Sequence, residues 1–158
     1  MKFLLLLLTM SVAISGCSDS NEGVATSEID QISAIDSDVD DEDRWYNQAQ
    51  VEHGTQVFVT NCAVCHGEQA QGLTEDWRQR LPDGNFPAPP LNGSAHAWHH
   101  PLEQLSSTIE AGGVPYGGQM PPFAEVLSDE DKLAAIAYFQ SFWEEEIYLG
   151  WLDLGGLN

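Results

Sequence analysis

Two cysteines and a histidine stand together near the middle of the chain, in the order Cys62-Ala-Val-Cys65-His66. Two thiols separated by two residues can add to the two vinyl groups on one edge of a porphyrin. A histidine directly after the second thiol is then placed under the ring, where its imidazole reaches the iron. The motif therefore predicts one covalently bound haem c, held by Cys62 and Cys65, with His66 as an axial ligand of the iron.

A second axial ligand is predicted in a stiff loop later in the chain. Beyond residue 16 the sequence has one methionine, Met120, with glycines at 117–118 before it and prolines at 121–122 after it. A thioether is a weak iron ligand that raises the reduction potential relative to a second imidazole. We therefore predict that His66 and Met120 bind the iron from opposite sides.

Two histidines offer a different sixth ligand. His99 or His100 would replace Met120 in a site with two imidazoles. Both stand just before Pro101, where a first-turn or capping role in a helix is the simpler interpretation.

Zinc is a competing metal for the same thiols. A Cys₂His₂ set would combine Cys62 and Cys65 with two of His96, His99 and His100. The 30 residues between Cys65 and His96 far exceed the usual finger spacing. A thioredoxin-like redox motif is the other competitor, and it needs a βαβ setting that this sequence lacks.

Residues 1–16 have the pattern of a bacterial signal peptide. The apolar run at residues 4–14 is too short for a transmembrane helix, which needs roughly 20 residues. Ile14-Ser15-Gly16-Cys17 also resembles the lipobox of bacterial lipoproteins. That resemblance implies cleavage before Cys17, acyl chains such as palmitate on it, and a protein anchored to a bacterial membrane on the periplasmic side or cell surface. An ordinary signal peptide that happens to contain a cysteine is the alternative.

Negative charge dominates the composition. The chain has 25 acidic and five basic residues, a formal net charge of −20, and ten of the acids but no base lie in residues 18–43. We predict that residues 17–43 form a disordered acidic tether that begins at the lipidated cysteine. Charge of this sign excludes nucleic-acid binding and favours redox partners with a basic docking surface. An acidic, halotolerant surface is the alternative explanation.

A first helix is predicted from Gln48 to Asn61, because apolar and small residues recur along one face. These residues are Val51, Gly54, Phe58 and Cys62. Since glycine weakens a helix, Gly54 on this face predicts close contact with another helix.

Two further helices have clear ends. One begins near Pro101 and stops at Gly112-Gly113, and its apolar face comprises Leu102, Leu105 and Ile109. The other begins with a capping box of Ser128 and Asp131 and ends around Trp143. Its inner stripe comprises Leu133, Ile136, Ala137 and Gln140.

In the remaining segments apolar and polar residues do not alternate over a long enough stretch to predict a strand. We therefore expect an all-α fold with long loops wrapped around one haem. Residues 44–158 suffice for one small domain. Its core is predicted at residues 48–143, and residues 144–158 form a C-terminal extension. This extension is either a docking patch for a partner or, more simply, packs back on the domain.

Together these features resemble the class I c-type cytochromes of the single-haem bacterial kind, over roughly residues 48–143. The matching pieces are Gly54 and Phe58, Cys62 to Gly67, Pro89-Pro90-Leu91, Met120 to Phe123, and Leu133 to Tyr138. The resemblance implies a small cytochrome c fold of three or more helices. It also implies that the first and last helices cross where Gly54 meets Tyr138.

The resemblance further implies that a proline carbonyl accepts a hydrogen bond from the histidine ligand. Either Pro89 or Pro90 would supply that carbonyl, and the sequence does not choose between them. The segment Gly67–Phe86 departs from the family pattern.

Four other side chains are candidates for contact with the haem. Trp98 and Tyr116 would hydrogen-bond the propionates or the ligand sulfur, with core packing as the alternative. Arg78 and Arg80 would pair with the propionates or, more simply, with their acidic neighbours at 75–76.

A six-coordinate iron sets the predicted function. With His66 and Met120 both bound, the iron has no open position for substrate or oxygen, so we predict an electron carrier that cycles between Fe(III) and Fe(II) and is not an enzyme. The alternatives are a cytochrome subunit of a larger respiratory dehydrogenase or oxidase complex, and a haem-based gas sensor in which Met120 leaves the iron.

Overall fold

The computed structural model describes residues 44–158. It has five α-helices: α1 (Gln48–Asn61), α2 (Ala63–His66), α3 (Leu102–Ala111), α4 (Asp129–Gln140) and α5 (Glu145–Asp153). Short 3₁₀ turns at Ala97–His99 and Val114–Tyr116 precede and follow α3. Within residues 44–158 there is no β-strand, which confirms the all-α prediction, and no helix has the length and apolarity needed to cross a bilayer. The predicted signal peptide, the lipidated Cys17 and the acidic tether lie outside the described residues.

Helices α1 and α4 cross at close range, and Gly54 makes this approach possible. A Cβ at Gly54 would overlap the backbone carbonyl of Ala134 and would lie 2.9 Å from the Cβ of Tyr138. On the same face of α1, the buried Phe58 ring lies 5.1 Å from the Tyr138 ring, centroid to centroid. The predicted bounds of α1 and the predicted crossing of Gly54 with Tyr138 are both confirmed.

Helix α4 is buried around most of its circumference. The predicted capping box is present: the Ser128 side chain accepts from the Asp131 N–H, and the Asp131 carboxylate accepts from the Ser128 N–H. The buried residues are Lys132, Ala134, Ala135, Ile136, Ala137, Phe139 and Gln140. The prediction of one inner stripe was too narrow, because α1 and α3 both pack against this helix. The helix also ends at Gln140, three residues before Trp143, where the chain turns toward α5.

Helix α3 matches its prediction. It begins directly after Pro101, ends at Ala111 before Gly112, and buries Leu105 and Ile109. Its apolar face thereby joins the core that also contains Phe58.

The C-terminal segment packs back on the domain through α5. Trp151 is 0% exposed and Tyr148 is also buried. The Trp151 indole N–H donates to the His100 carbonyl at 2.8 Å, and the Tyr148 hydroxyl accepts from the Trp45 backbone N–H at 3.0 Å. Of the two interpretations of residues 144–158, packing on the domain is confirmed.

The indole hydrogen bond of Trp151 can be tested by removing it alone. Trp151→Phe is expected to lower the free energy of unfolding by about 1 kcal/mol, because the His100 carbonyl loses its donor while an aromatic ring stays buried. Urea unfolding measures this difference. The control is Leu149→Ala at an exposed position of the same helix, which should change stability by less than about 0.5 kcal/mol. Equal effects of the two changes would contradict this packing of α5.

Candidate functional site

The two cysteines of the motif lie at the junction of α1 and α2. Cys62 ends α1 and begins α2, and its carbonyl accepts from the N–H groups of Cys65 and His66 at 3.1 and 3.0 Å. Both thiols are free, with Cys62 half-buried and Cys65 exposed. Burial raises the pKa of the Cys62 thiol to about 11. The thiol is therefore protonated at neutral pH, whereas a Cys-x-x-Cys redox catalyst needs a lowered thiol pKa.

The ring of His66 is buried, with 7% of the residue exposed, and one ring nitrogen is tied to the backbone. Its Nδ1 lies 2.9 Å from the carbonyl oxygen of Pro89. Because a carbonyl oxygen can only accept, Nδ1 carries the proton and Nε2 keeps its lone pair. Burial lowers the pKa of His66, which favours the neutral ring. A neutral imidazole with a fixed tautomer is the form that binds a metal ion.

The structure distinguishes the two prolines. Pro89 provides the carbonyl that faces His66, whereas Pro90 is buried. The next residue, Leu91, is held at both backbone groups: its N–H donates to the Ala70 carbonyl and its carbonyl accepts from the Trp143 indole, each at 2.7 Å. These hydrogen bonds hold residues 89–91 in place next to the His66 ring. The role of either proline toward a haem stays a prediction.

The chain turns back directly after His66. Gly67 has φ +76°, a left-handed conformation that favours glycine, and the Gly72 N–H then donates to the His66 carbonyl at 2.6 Å. The Tyr138 hydroxyl on α4 donates to the Glu68 carbonyl at 2.7 Å. Sequence reasoning missed this last bond, because the position of a tyrosine along a helix does not indicate which distant carbonyl its hydroxyl reaches.

Met120 lies at the end of a closed loop between α3 and α4. The Gly113 N–H donates to the Met120 carbonyl at 2.9 Å, and the Gly118 N–H donates to the Gly113 carbonyl at 3.0 Å. The Met120 side chain is half-buried and packs against the core. The axial role of Met120 stays a prediction.

The donor set of the motif fits a covalently bound haem. Cys62 and Cys65 offer two free thiols on one turn of backbone, and His66 offers a lone pair on Nε2 because its Nδ1 proton is engaged by Pro89. These are the groups that attach a c-type haem and bind its iron from one side.

Comparison with known proteins decides the family. A family model described as cytochrome c oxidase, cbb3-type, subunit III matches residues 49–139, which include the motif, both prolines and Met120. The chain belongs to the cbb3-type cytochrome c oxidase subunit III family. Membership in a c-type cytochrome family implies covalently bound haem c, in agreement with the donor set.

Individual relatives are also named as subunits of cbb3-type cytochrome c oxidases. The chain is 32% identical over 100 residues to the cbb3-type cytochrome c oxidase subunit FixP of Sinorhizobium medicae, a match that covers 60% of this chain and 30% of that protein. It is 37% identical over 78 residues to the subunit CcoP of Rhodobacter capsulatus, covering 49% and 22%. The chain thus spans less than a third of the length of these relatives. No solved structure matches it significantly.

Neither His99 nor His100 caps α3 in this cbb3-type family member; the His100 backbone instead ends the 3₁₀ turn that precedes it. Pro101 is the N-cap of α3, and no side chain caps the helix. The predicted capping by His99 or His100 is therefore wrong, because the extended backbone at Pro101 starts the helix without a side-chain acceptor. The exposed His99 ring instead stacks on Trp98, with centroids 3.7 Å apart.

The contacts predicted for Trp98 and Tyr116 with a haem stay predictions. Trp98 is half-buried and packs against the core, as its simpler interpretation requires. The backbone of Tyr116 ends the second 3₁₀ turn, and its side chain lies outside what the structure describes.

The zinc alternative is not supported by the geometry. Within residues 44–158, no three side chains of the His, Cys, Asp and Glu types lie close enough together to hold a metal ion. The cysteines of the motif and the histidines at 96–100 are therefore not gathered into a Cys₂His₂ site.

The predicted pairing of Arg78 and Arg80 with acidic neighbours is wrong. The Asp76 carboxylate accepts from the Arg78 backbone N–H, not from its guanidinium. The Arg78 guanidinium lies over the Trp77 ring, 4.6 Å from its centroid, and the Arg80 guanidinium lies over an aromatic ring as well. At exposed positions a cation–π contact contributes about 0.5–1 kcal/mol, which is comparable to the roughly 0–1 kcal/mol of an exposed ion pair, so an acidic neighbour in sequence does not by itself decide the partner.

Proposed function

We propose that this chain transfers single electrons through one haem c, with His66 and Met120 as axial ligands. The observation that carries the proposal is the fixed tautomer of His66, whose Nδ1 proton is held by the Pro89 carbonyl. The haem supplies an iron that cycles between Fe(III) and Fe(II). Cys62 and Cys65 would hold it covalently, and the buried His66 would keep its bond to the iron in both states, so that little reorganisation accompanies transfer.

A second candidate function is favoured by the family. The relatives are named as subunits of cbb3-type cytochrome c oxidases, so this chain would pass electrons within, or to, such an oxidase complex. It would supply electrons without itself carrying out the chemistry on oxygen, because a ligand-saturated iron offers no open position. A gas sensor would need Met120 to leave the iron. The backbone hydrogen bonds that close the loop from Gly113 to Met120 do not favour such a movement.

Residues 1–17 support a proposal for where the protein is located. We propose export, cleavage before Cys17 and acylation of this cysteine, which would hold the domain at a membrane surface. The net charge of −20 favours approach of a redox partner with a basic surface.

Spectra of the purified full-length protein test the main proposal. After denaturation the haem should stay with the chain, the absorbance should change reversibly with one electron per chain, and the reduced protein should not bind carbon monoxide. Cys17→Ser is the control variant: it should release the protein from membranes but leave the haem spectrum unchanged. Haem that is lost on denaturation would overturn the attachment, and rapid carbon monoxide binding would overturn the closed, six-coordinate site.

A further inference from the structure

The basic side chains of the domain fall into two groups. Residues 44–158 carry 15 acidic and four basic side chains. Arg44 pairs with Glu145 at 3.0 Å, and Lys132 pairs with Glu110 at 2.9 Å and with a second carboxylate. These two cations are neutralised by the domain itself.

The other two cations, Arg78 and Arg80, are exposed and lie on aromatic rings. Arg78 Cζ is 4.6 Å from the Trp77 ring centroid, and Arg80 Cζ is 4.1 Å from that of Phe86. Within the described residues neither guanidinium contacts a carboxylate. The Arg80 Nη1 donates to the Gly84 carbonyl at 2.6 Å, which helps to hold this guanidinium in place. The N–H donors of Arg78 and the remaining ones of Arg80 have no carboxylate partner within the described residues, and a guanidinium matches a carboxylate in charge and geometry.

Both arginines belong to a loop, residues 73–88, whose two flanking residues hydrogen-bond His66. The loop also carries three acidic residues that pair with neither arginine: Glu75, Asp76 and Asp83. We call it the arginine loop. Directly before it, the Gly72 N–H donates to the His66 carbonyl at 2.6 Å, and directly after it comes the Pro89 carbonyl that holds His66 Nδ1. In the middle of the loop, the Asp83 carboxylate accepts from the side-chain amide of Gln119 at 3.4 Å, and Gln119 directly precedes Met120 in sequence. The arginine loop thus borders the site at which electrons would enter or leave.

We propose that the arginine loop is the contact surface for a redox partner and that it receives a carboxylate-bearing face of that partner. The inference rests on the proposed electron-transfer function and adds the chemistry of docking to it. The half-exposed Phe86 and the exposed Leu73 supply apolar area beside the two guanidiniums, a composition typical of interface centres. The net charge of −20 favours a partner that is basic overall. Because charges farther than about 10 Å from the contact are largely screened, the two guanidiniums act on the part of the partner that touches them.

Small oxidants of opposite charge test this surface with the full-length holoprotein. Stopped-flow mixing of the reduced protein with hexacyanoferrate(III) transfers one electron, giving the Fe(III) protein and hexacyanoferrate(II). At low ionic strength, Arg78→Gln with Arg80→Gln should slow this reaction about five- to tenfold and should accelerate the reaction with a tricationic cobalt(III) complex. Both effects should shrink as salt is added.

The control makes the same change of net charge elsewhere. Gln56→Glu with Gln104→Glu, at exposed positions of α1 and α3, should change either rate less than about twofold. If the control slows hexacyanoferrate as much as the arginine variant, net charge is responsible and the proposal is overturned. An unchanged rate in the arginine variant overturns it as well. A protein with no reversible haem absorbance change would instead contradict the proposed function itself.

Discussion

Met120→Ala is expected to lower the reduction potential by roughly 0.2 V, about a quarter of the range of about 0.8 V over which axial ligands set haem potentials. A thioether stabilises the Fe(II) state relative to harder ligands, so a water or hydroxide in its place favours Fe(III). The variant should also bind carbon monoxide in the reduced state, because alanine leaves the sixth position to exogenous ligands. A redox titration followed by absorbance, and carbon monoxide binding to the reduced form, measure both effects.

Val114→Ala is the matched control for this substitution. Val114 lies in the same loop but is 65% exposed, so its truncation should leave the potential and the carbon monoxide response unchanged. If Met120→Ala also leaves both unchanged, another residue is the sixth ligand. A histidine at 99 or 100 would then be identified by the loss of the native spectrum on its own replacement by alanine.

The parts of the fold that were predicted correctly depend on local sequence. The bounds of α1 and the capping box of Ser128 with Asp131 follow from side chains within a few residues of one another. The motif of Cys62, Cys65 and His66 is also local, because it falls within five consecutive positions, and the role of these three residues toward a haem stays a prediction. Such features are set by backbone geometry, and tertiary contacts need not be known to see them.

The parts that sequence reasoning missed depend on distant contacts. The buried Trp151 indole donates to the His100 carbonyl, 51 positions earlier, and no periodicity within residues 144–158 indicates that partner. Arg80 illustrates the same limit, since the carboxylates at 75–76 are nearer in sequence than Phe86, the ring on which its guanidinium stacks. The choice of Pro89 over Pro90 likewise required the position of the His66 ring.

The largest expected effect on stability is that of Gly54→Ala. In an unobstructed helix interior this change is stabilising by about 1 kcal/mol, because alanine loses less backbone entropy than glycine. At Gly54 the new Cβ would overlap the Ala134 carbonyl, and a backbone carbonyl moves only if α4 moves with it. We therefore expect a net loss of about 3 kcal/mol, the upper end of the usual cost of overpacking a core. Urea unfolding of the holoprotein measures it.

Gly150→Ala is the control that isolates this overlap. Gly150 lies inside α5, where a Cβ would meet nothing within 4 Å, so the same chemical change should be stabilising by up to about 1 kcal/mol. Opposite signs for the two variants would show that the α1–α4 crossing, and not helix propensity, decides the outcome at Gly54. A stabilising effect at both positions would contradict the close crossing.

The crossing at Gly54 also has a consequence for the cofactor site. Helix α1 ends at Cys62, and α4 carries Tyr138, whose hydroxyl holds the Glu68 carbonyl just after the motif at 2.7 Å. If the two helices move apart, the motif at the end of α1 moves away from Tyr138, and the hydrogen bond from the Tyr138 hydroxyl to the Glu68 carbonyl is strained or lost. Gly54→Ala should accordingly lower the fraction of chains that carry haem, measured as the ratio of haem to protein absorbance, whereas Gly150→Ala should leave that ratio unchanged. If Gly54→Ala is destabilised but keeps its full haem content, the crossing stabilises the fold without positioning the motif, and the prediction for haem content is wrong.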